Sequence, residues 1–146
     1  MPVVGGCPFR GVIGLSVLIF TAYPAHMLEL ASRERSQPAP PAVVRESLTA
    51  FRSPSARPWL DLLPDEVEPR VLESDDPSRV VWSSLWPDRP QDRIRFDLGQ
   101  AKDGYGCALR WTLITTDTAP SESKLGHMRY RLNVLINESL RKSYGS

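Results

Sequence analysis

The stretch Lys124–Lys142, KLGHMRYRLNVLINESLRK, decides how the chain reads. Leu125, Met128, Leu132, Leu135, Ile136 and Leu140 recur at the three- and four-residue steps that bring side chains onto one face of an α-helix. Arg129, Asn133, Asn137, Glu138 and Arg141 fall on the other face. Pro120 and Ser121 precede the run. Ser121 or Ser123 is suited to cap it, because a serine hydroxyl accepts from the free N–H groups of a first helical turn. Gly145 follows it, where a glycine closes a helix in left-handed geometry. A helix of about 20 residues is roughly 30 Å long, enough to lie across one whole face of a small sheet.

The segments upstream supply such a sheet. Cys107–Thr116 alternates, with Leu109, Trp111 and Leu113 on one side against Arg110 and Thr112. Asp92–Leu98 (DRIRFDL) alternates as cleanly, with Ile94, Phe96 and Leu98 opposed to Arg93, Arg95 and Asp97. Arg79–Trp86 is rich in β-branched and aromatic residues. Val67–Ser74 reads as a weaker strand. Met27–Ser36 reads as a first strand, with Leu28, Leu30 and Ser32 facing one way. Asp75–Ser78, Pro87–Gln91 and Asp103–Gly106 are turns by composition. Connections this short favour consecutive antiparallel pairing.

Between the first strand and the rest, Pro38–Pro41 opens a short helix over Ala42–Phe51. Proline is tolerated there because its missing N–H had no helical partner. Val43, Val44, Leu48 and Phe51 form its apolar stripe. Arg52–Pro58 is a loop, and Trp59–Leu63 reads as a helical turn or second small helix stopped by Pro64. The fold class that follows is α+β.

At 146 residues the chain has room for one domain. A net charge of +1 lacks the basic excess of a nucleic-acid binder. Cys7 and Cys107 stand far apart, so neither a disulfide framework nor a zinc site is indicated. Free thiols point to a reducing compartment and a cytoplasmic location. Residues 1–26 do not fit the patterned part. Val12–Ala22 is too short to span a bilayer, which takes about 20 apolar residues, yet it has the length of a signal-peptide core behind Arg10. Three readings stay open for this extension: a poor secretion signal, a membrane-associating tail, or a segment that adds nothing to the fold, with Met27 as the natural start. The first two would make the chain exported or membrane-associated, and membrane association is expected only through residues 1–26. Residues 27–146 are the expected domain.

The order of strand, two short helices, meander and long terminal helix resembles the helix-grip fold of the START-like superfamily, also called SRPBCC. Several stretches carry the likeness: Pro40–Val44 at the opening of the first helix, Val80–Pro87, Asp92–Leu98, Ala108–Leu113, Arg129–Asn137 and Ser143–Gly145. They are most similar to an actinobacterial-type branch without assigned activity. The superfamily includes polyketide cyclases and aromatases, lipid-transfer domains, plant hormone-binding proteins and chaperone activators. The resemblance implies a curved antiparallel sheet wrapped around the C-terminal helix, with an apolar cavity between them. It also implies about seven strands, of which five are legible here.

If that implication holds, the cavity is lined by Trp82, Ser84, Phe96, Leu109, Trp111, Met128 and Leu132, which equally serve as plain core. The expected partner is a small hydrophobic ligand such as a lipid, polyketide or aromatic metabolite. The alternatives are a cyclase- or aromatase-like enzyme using the same cavity, and a chaperone-activator-type interaction protein with a filled interior. An enzyme would need a polar pair, for instance His127 with Ser84 or Tyr130. His127, Tyr130 and Arg131 are expected to face water, and Asp65-Glu66 and Asp75-Asp76 to be solvated turn charges. No metal, cofactor or nucleic acid is expected, for no motif that holds one is legible. Whether the chain is an enzyme, and its oligomeric state, stay open.

Overall fold

The computed structural model describes residues 27–52 and 58–145. The apolar extension over residues 1–26, with all three of its readings, lies outside the described residues, as does most of the loop after Arg52.

The element order is β1 (Leu28–Gln37), α1 (Pro41–Thr49), β2 (Val71–Glu73), β3 (Arg79–Ser83), β4 (Asp92–Gln100), β5 (Cys107–Thr115) and α2 (Glu122–Val134), which runs on as a π-helical segment, Leu135–Leu140. The five strands form one curved antiparallel sheet in the order β1-β5-β4-β3-β2. Strands β2 to β5 pair consecutively, and β1 closes against β5.

Directly opposed residues of an antiparallel pair share a face. Val80, Phe96 and Trp111 therefore line up across the inner face, as do Trp82, Ile94 and Leu113. The helix lays Met128, Leu132, Leu135, Ile136 and Leu140 into the same buried cluster. On the outer face the register aligns Arg79, Asp97, Arg110 and Glu34 across four strands. Opposite charges meet there at 3.2 Å (Arg79–Asp97), 2.9 Å (Arg95–Asp97) and 3.5 Å (Arg110–Glu34). The alternation of DRIRFDL thus divides hydrocarbon from ion pairs, as its period requires.

Both helix ends match their local chemistry. The Ser121 hydroxyl accepts from the Lys124 N–H at 3.2 Å, and Gly145 has φ +84°. Gly106 is fixed by contact as well as by conformation. Its φ is +73°, and a Cβ there would sit 2.2 Å from the Gln37 carbonyl oxygen, so only glycine lets the β4–β5 turn close on the end of β1.

Five expectations are corrected. Trp59–Leu63 forms no helix. Pro58 and Pro64 leave a piece too short to repay helix nucleation, and its backbone is used elsewhere: the Asp61 carbonyl accepts from Arg131, and the Leu63 N–H donates to Glu66. Strand β2 is three residues rather than eight, since Pro69 has no N–H for a ladder. Strand β3 stops at Ser83, because the Ser84 hydroxyl takes up the Trp86 N–H at 3.0 Å and turns the chain. Val43 is exposed, with Val44 and Leu48 carrying the buried side of α1. The phase of β1 also changes: an irregularity between Glu29 and Ala31 puts Ala31, Arg33, Arg35 and Gln37 opposite Leu113, Trp111, Leu109 and Cys107. Ser32 consequently faces outward, away from Leu28.

Candidate ligand-binding interior

The indole of Trp82, on β3, is the hub of the interior. Its N–H donates to the Leu48 carbonyl at 2.8 Å, which ties the sheet to α1. Phe96 meets it edge-on at 4.7 Å between centroids, Phe51 edge-on at 5.6 Å, and Trp59 stacks on it at 6.0 Å. Geometries of this kind add to the area that aromatic rings bury.

Of the seven predicted lining residues, Trp82, Phe96, Leu109, Trp111, Met128 and Leu132 join one buried cluster. Ser84 is also buried, but its hydroxyl is occupied: it donates to the Trp86 carbonyl at 3.1 Å and accepts from the Trp86 N–H. Two indole donors differ from that of Trp82. The Nε1–H groups of Trp86 and Trp111 are buried and have no hydrogen-bond partner among the described residues.

The largest departure from the sequence reading is ionic. Arg131 and Glu66 are buried, not solvated. The guanidinium forks onto the carboxylate, Nε to Oε2 at 2.7 Å and Nη2 to Oε1 at 2.8 Å, and Nη2 also donates to the Asp61 carbonyl at 2.9 Å. Burial by itself would raise the Glu66 carboxyl. The hydrogen bonds from Arg131 and from the Leu63 N–H, with the charges of Arg131 and His127, outweigh it and hold the group below its usual value. The bond to Glu66 raises Arg131 in turn, against the opposing effect of burial. This pair straps the Trp59–Glu66 segment onto α2. Tyr130 is exposed as expected, and His127 is half-buried.

Asn137, assigned by periodicity to the outer side of the helix, is also buried. The π segment explains it. A π turn holds one more residue than an α turn, which keeps Leu135, Ile136 and Leu140 inward and draws Asn137 in with them. Asn137 Nδ2 donates to Asn133 Oδ1 at 3.1 Å, while its own Oδ1 has no partner among the described residues. Gln37, at the end of β1, donates from Nε2 to the Ile136 carbonyl at 3.1 Å, and its Oε1 is likewise unpartnered. Burial pushes the Cys107 thiol up despite a backbone hydrogen bond at Gly99. The Tyr144 phenol, hydrogen-bonded to Ser47 Oγ at 2.9 Å, is also pushed up by burial.

Among the described residues no group of three or more His, Cys, Asp or Glu is placed to hold a metal ion. No helix among them is long and apolar enough to cross a membrane.

No family model matches the chain, and no curated protein matches it. Solved structures do. CalU16 from Micromonospora echinospora is similar with a TM-score of 0.58 at 16% identity, over 78% of this chain and 73% of that one. The AHSA1-like protein from Rhizobium etli is similar at 0.53 and 17% identity, over 82% and 83%. Ara h 8.0201 is similar at 0.50 and 10% identity, over 82% and 99%. The chain has a helix-grip fold. In helix-grip terms, the sheet is the grip and α2 with its π extension is the gripped rod. Identities this low bear on the fold alone.

Proposed function

We propose that the chain binds a small, mostly apolar molecule between the sheet and α2. The observation that carries the reading is the pair of unpartnered indole donors, Trp86 and Trp111, in an interior built otherwise largely of hydrocarbon. A buried donor left unpaired costs about 1–3 kcal/mol. An acceptor brought in on an apolar body would offset that cost and fix the body's orientation, as the few polar groups of such sites do. The helix-grip architecture agrees with this use, and at fold level that agreement is analogy.

The test is titration with the uncharged dye phenylnaphthylamine, followed by fluorescence and by thermal melting. Saturable one-site binding should raise stability by about 2.7 kcal/mol once free dye reaches roughly 100 times its Kd. No saturable binding together with an unchanged Tm would refute the reading. That result would leave the second one, an interaction protein with a filled interior, which the close aromatic packing around Trp82 favours. If the dye binds, native mass spectrometry of protein from its own host identifies the ligand class.

A further inference from the structure

We propose that the seam between β1 and the C-terminal helix receives the anionic end of an amphipathic organic acid, with Arg33 and Arg35 as its recognition pair. This deepens the binding reading above and rests on it.

The argument starts from register. Arg33 is directly opposite Trp111, and Arg35 opposite Leu109. Trp111 and Leu109 in turn oppose Phe96 and Leu98. Both arginines therefore occupy the inner face, at rows that on β4 and β5 are wholly apolar. Because β1 is an edge strand, these rows end at solvent in two guanidiniums. Both side chains are exposed, and neither makes an ion pair or hydrogen bond among the described residues. The outer-face arginines are engaged instead: Arg79, Arg95 and Arg110 meet carboxylates, and Arg93 donates to the Pro90 and Asp92 carbonyls. Two residues apart on a strand, Arg33 and Arg35 lie roughly 7 Å from each other along the backbone. Like charges at that spacing repel, and one carboxylate, sulfonate or phosphate group bound between them relieves it while accepting charge-assisted hydrogen bonds.

Buried polar groups stand next to the two arginines. Trp111 offers its unpartnered N–H beside Arg33 in the register. Gln37, next in the row after Arg35, reaches the Ile136 carbonyl, and the free oxygens of Gln37 and Asn137 are unused acceptors. The seam thus grades from cations at its rim to a neutral donor and two acceptors inside. That order suits an apolar acid carrying a hydroxyl or N–H near its acidic end.

The experiment compares phenylnaphthylamine with anilinonaphthalene sulfonate, the same skeleton bearing a sulfonate. Wild-type protein should bind the sulfonate about tenfold more tightly, as expected for new hydrogen bonds to charged groups. Arg33→Gln/Arg35→Gln should bring the two dyes to parity without moving the neutral dye's Kd or the Tm. Arg33→Lys/Arg35→Lys should recover part of the preference. Equal affinities in wild type, or a preference untouched by the glutamine variant, would overturn this inference and leave apolar binding standing. Failure of both dyes to bind would overturn both.

Discussion

Replacing Arg131 with methionine gives the sharpest test of how the helix is held. The substitution keeps an apolar stem of similar reach and deletes the guanidinium. Three short contacts go with it, at 2.7, 2.8 and 2.9 Å, two to Glu66 and one to the Asp61 carbonyl. What remains is a buried carboxylate whose one retained hydrogen bond among the described residues is from the Leu63 N–H at 2.9 Å. Breaking one side of a buried pair costs about 3–5 kcal/mol, mostly the penalty of the abandoned charge. At roughly 4 °C per kcal/mol for a folded region of this size, that is a Tm lower by about 12–20 °C. Urea denaturation followed by tryptophan fluorescence should report it as a lower midpoint at unchanged slope.

The pH dependence checks the cause. In wild type the folded Glu66 carboxyl titrates below its ordinary value of 4.5, so its contribution is present above that value and fades as pH falls through the lower, folded one. In Arg131→Met burial is opposed only by the Leu63 amide and the charge of His127, and the folded carboxyl moves up. The unpaired charge then costs most at neutral pH and least once protonated. The difference between the two proteins should shrink steadily from pH 7 towards pH 4. A loss under about 1 kcal/mol, the range of exposed pairs, or a loss equal at both pH values, would show that the pair is effectively solvated and the strap reading wrong. The double change Glu66→Leu/Arg131→Met should recover most of the loss, because apolar replacement of a whole buried pair is often neutral or better.

Further outcomes follow from single contacts. Gly106→Ala should destabilise by at least about 1 kcal/mol, since it adds both left-handed strain and a backbone collision with Gln37; a neutral result in thermal melting would mean the β4–β5 turn relaxes freely. Ser121→Ala should cost about 1 kcal/mol by removing the cap on Lys124, and Ser121→Asp should retain it. Trp111→Ala should lose roughly 3–5 kcal/mol as a large aromatic truncation. Trp111→Phe should lose far less and, by deleting an unpaired donor, even gain; a Trp111→Phe loss as large as that of alanine would mean the indole N–H has a partner after all.

The parts of the fold that were legible in the sequence are those governed by one period. The alternations of Asp92–Leu98 and Cys107–Thr116 and the three-to-four spacing of Leu125–Leu140 each express a single local geometry, and the elements form where those patterns lie. The readings that failed share a cause, which is a local break in period or a partner far along the chain. Asn137 was misplaced because a π turn adds a residue that α spacing does not count. Ser32 was misplaced by the irregularity in β1. Arg131 did carry a signal: it stands three after Met128 and four before Leu135, inside the apolar stripe itself. Glu66 carried none, being one acid in a polar, proline-rich run, 65 residues from its partner. Trp59–Leu63 has helical composition, but its backbone groups are engaged by those same two side chains. Of the candidate lining, the six buried apolar and aromatic members could be read from strand alternation and composition and, for Met128 and Leu132, from helical spacing. The occupied hydroxyl of Ser84 could not, because it depends on where β3 ends.

The irregularity in β1 has a consequence out of proportion to its size. Were the strand perfectly regular from Leu28 onward, Leu30, Ser32, Glu34 and Ser36 would lie on the inner face, and its edge would carry one negative charge. A single residue of slack after Glu29 exchanges that set for Ala31, Arg33, Arg35 and Gln37. The polarity of the rim, and with it the kind of molecule the protein would attract or repel, is therefore decided by a backbone offset of one position rather than by any difference in amino-acid content.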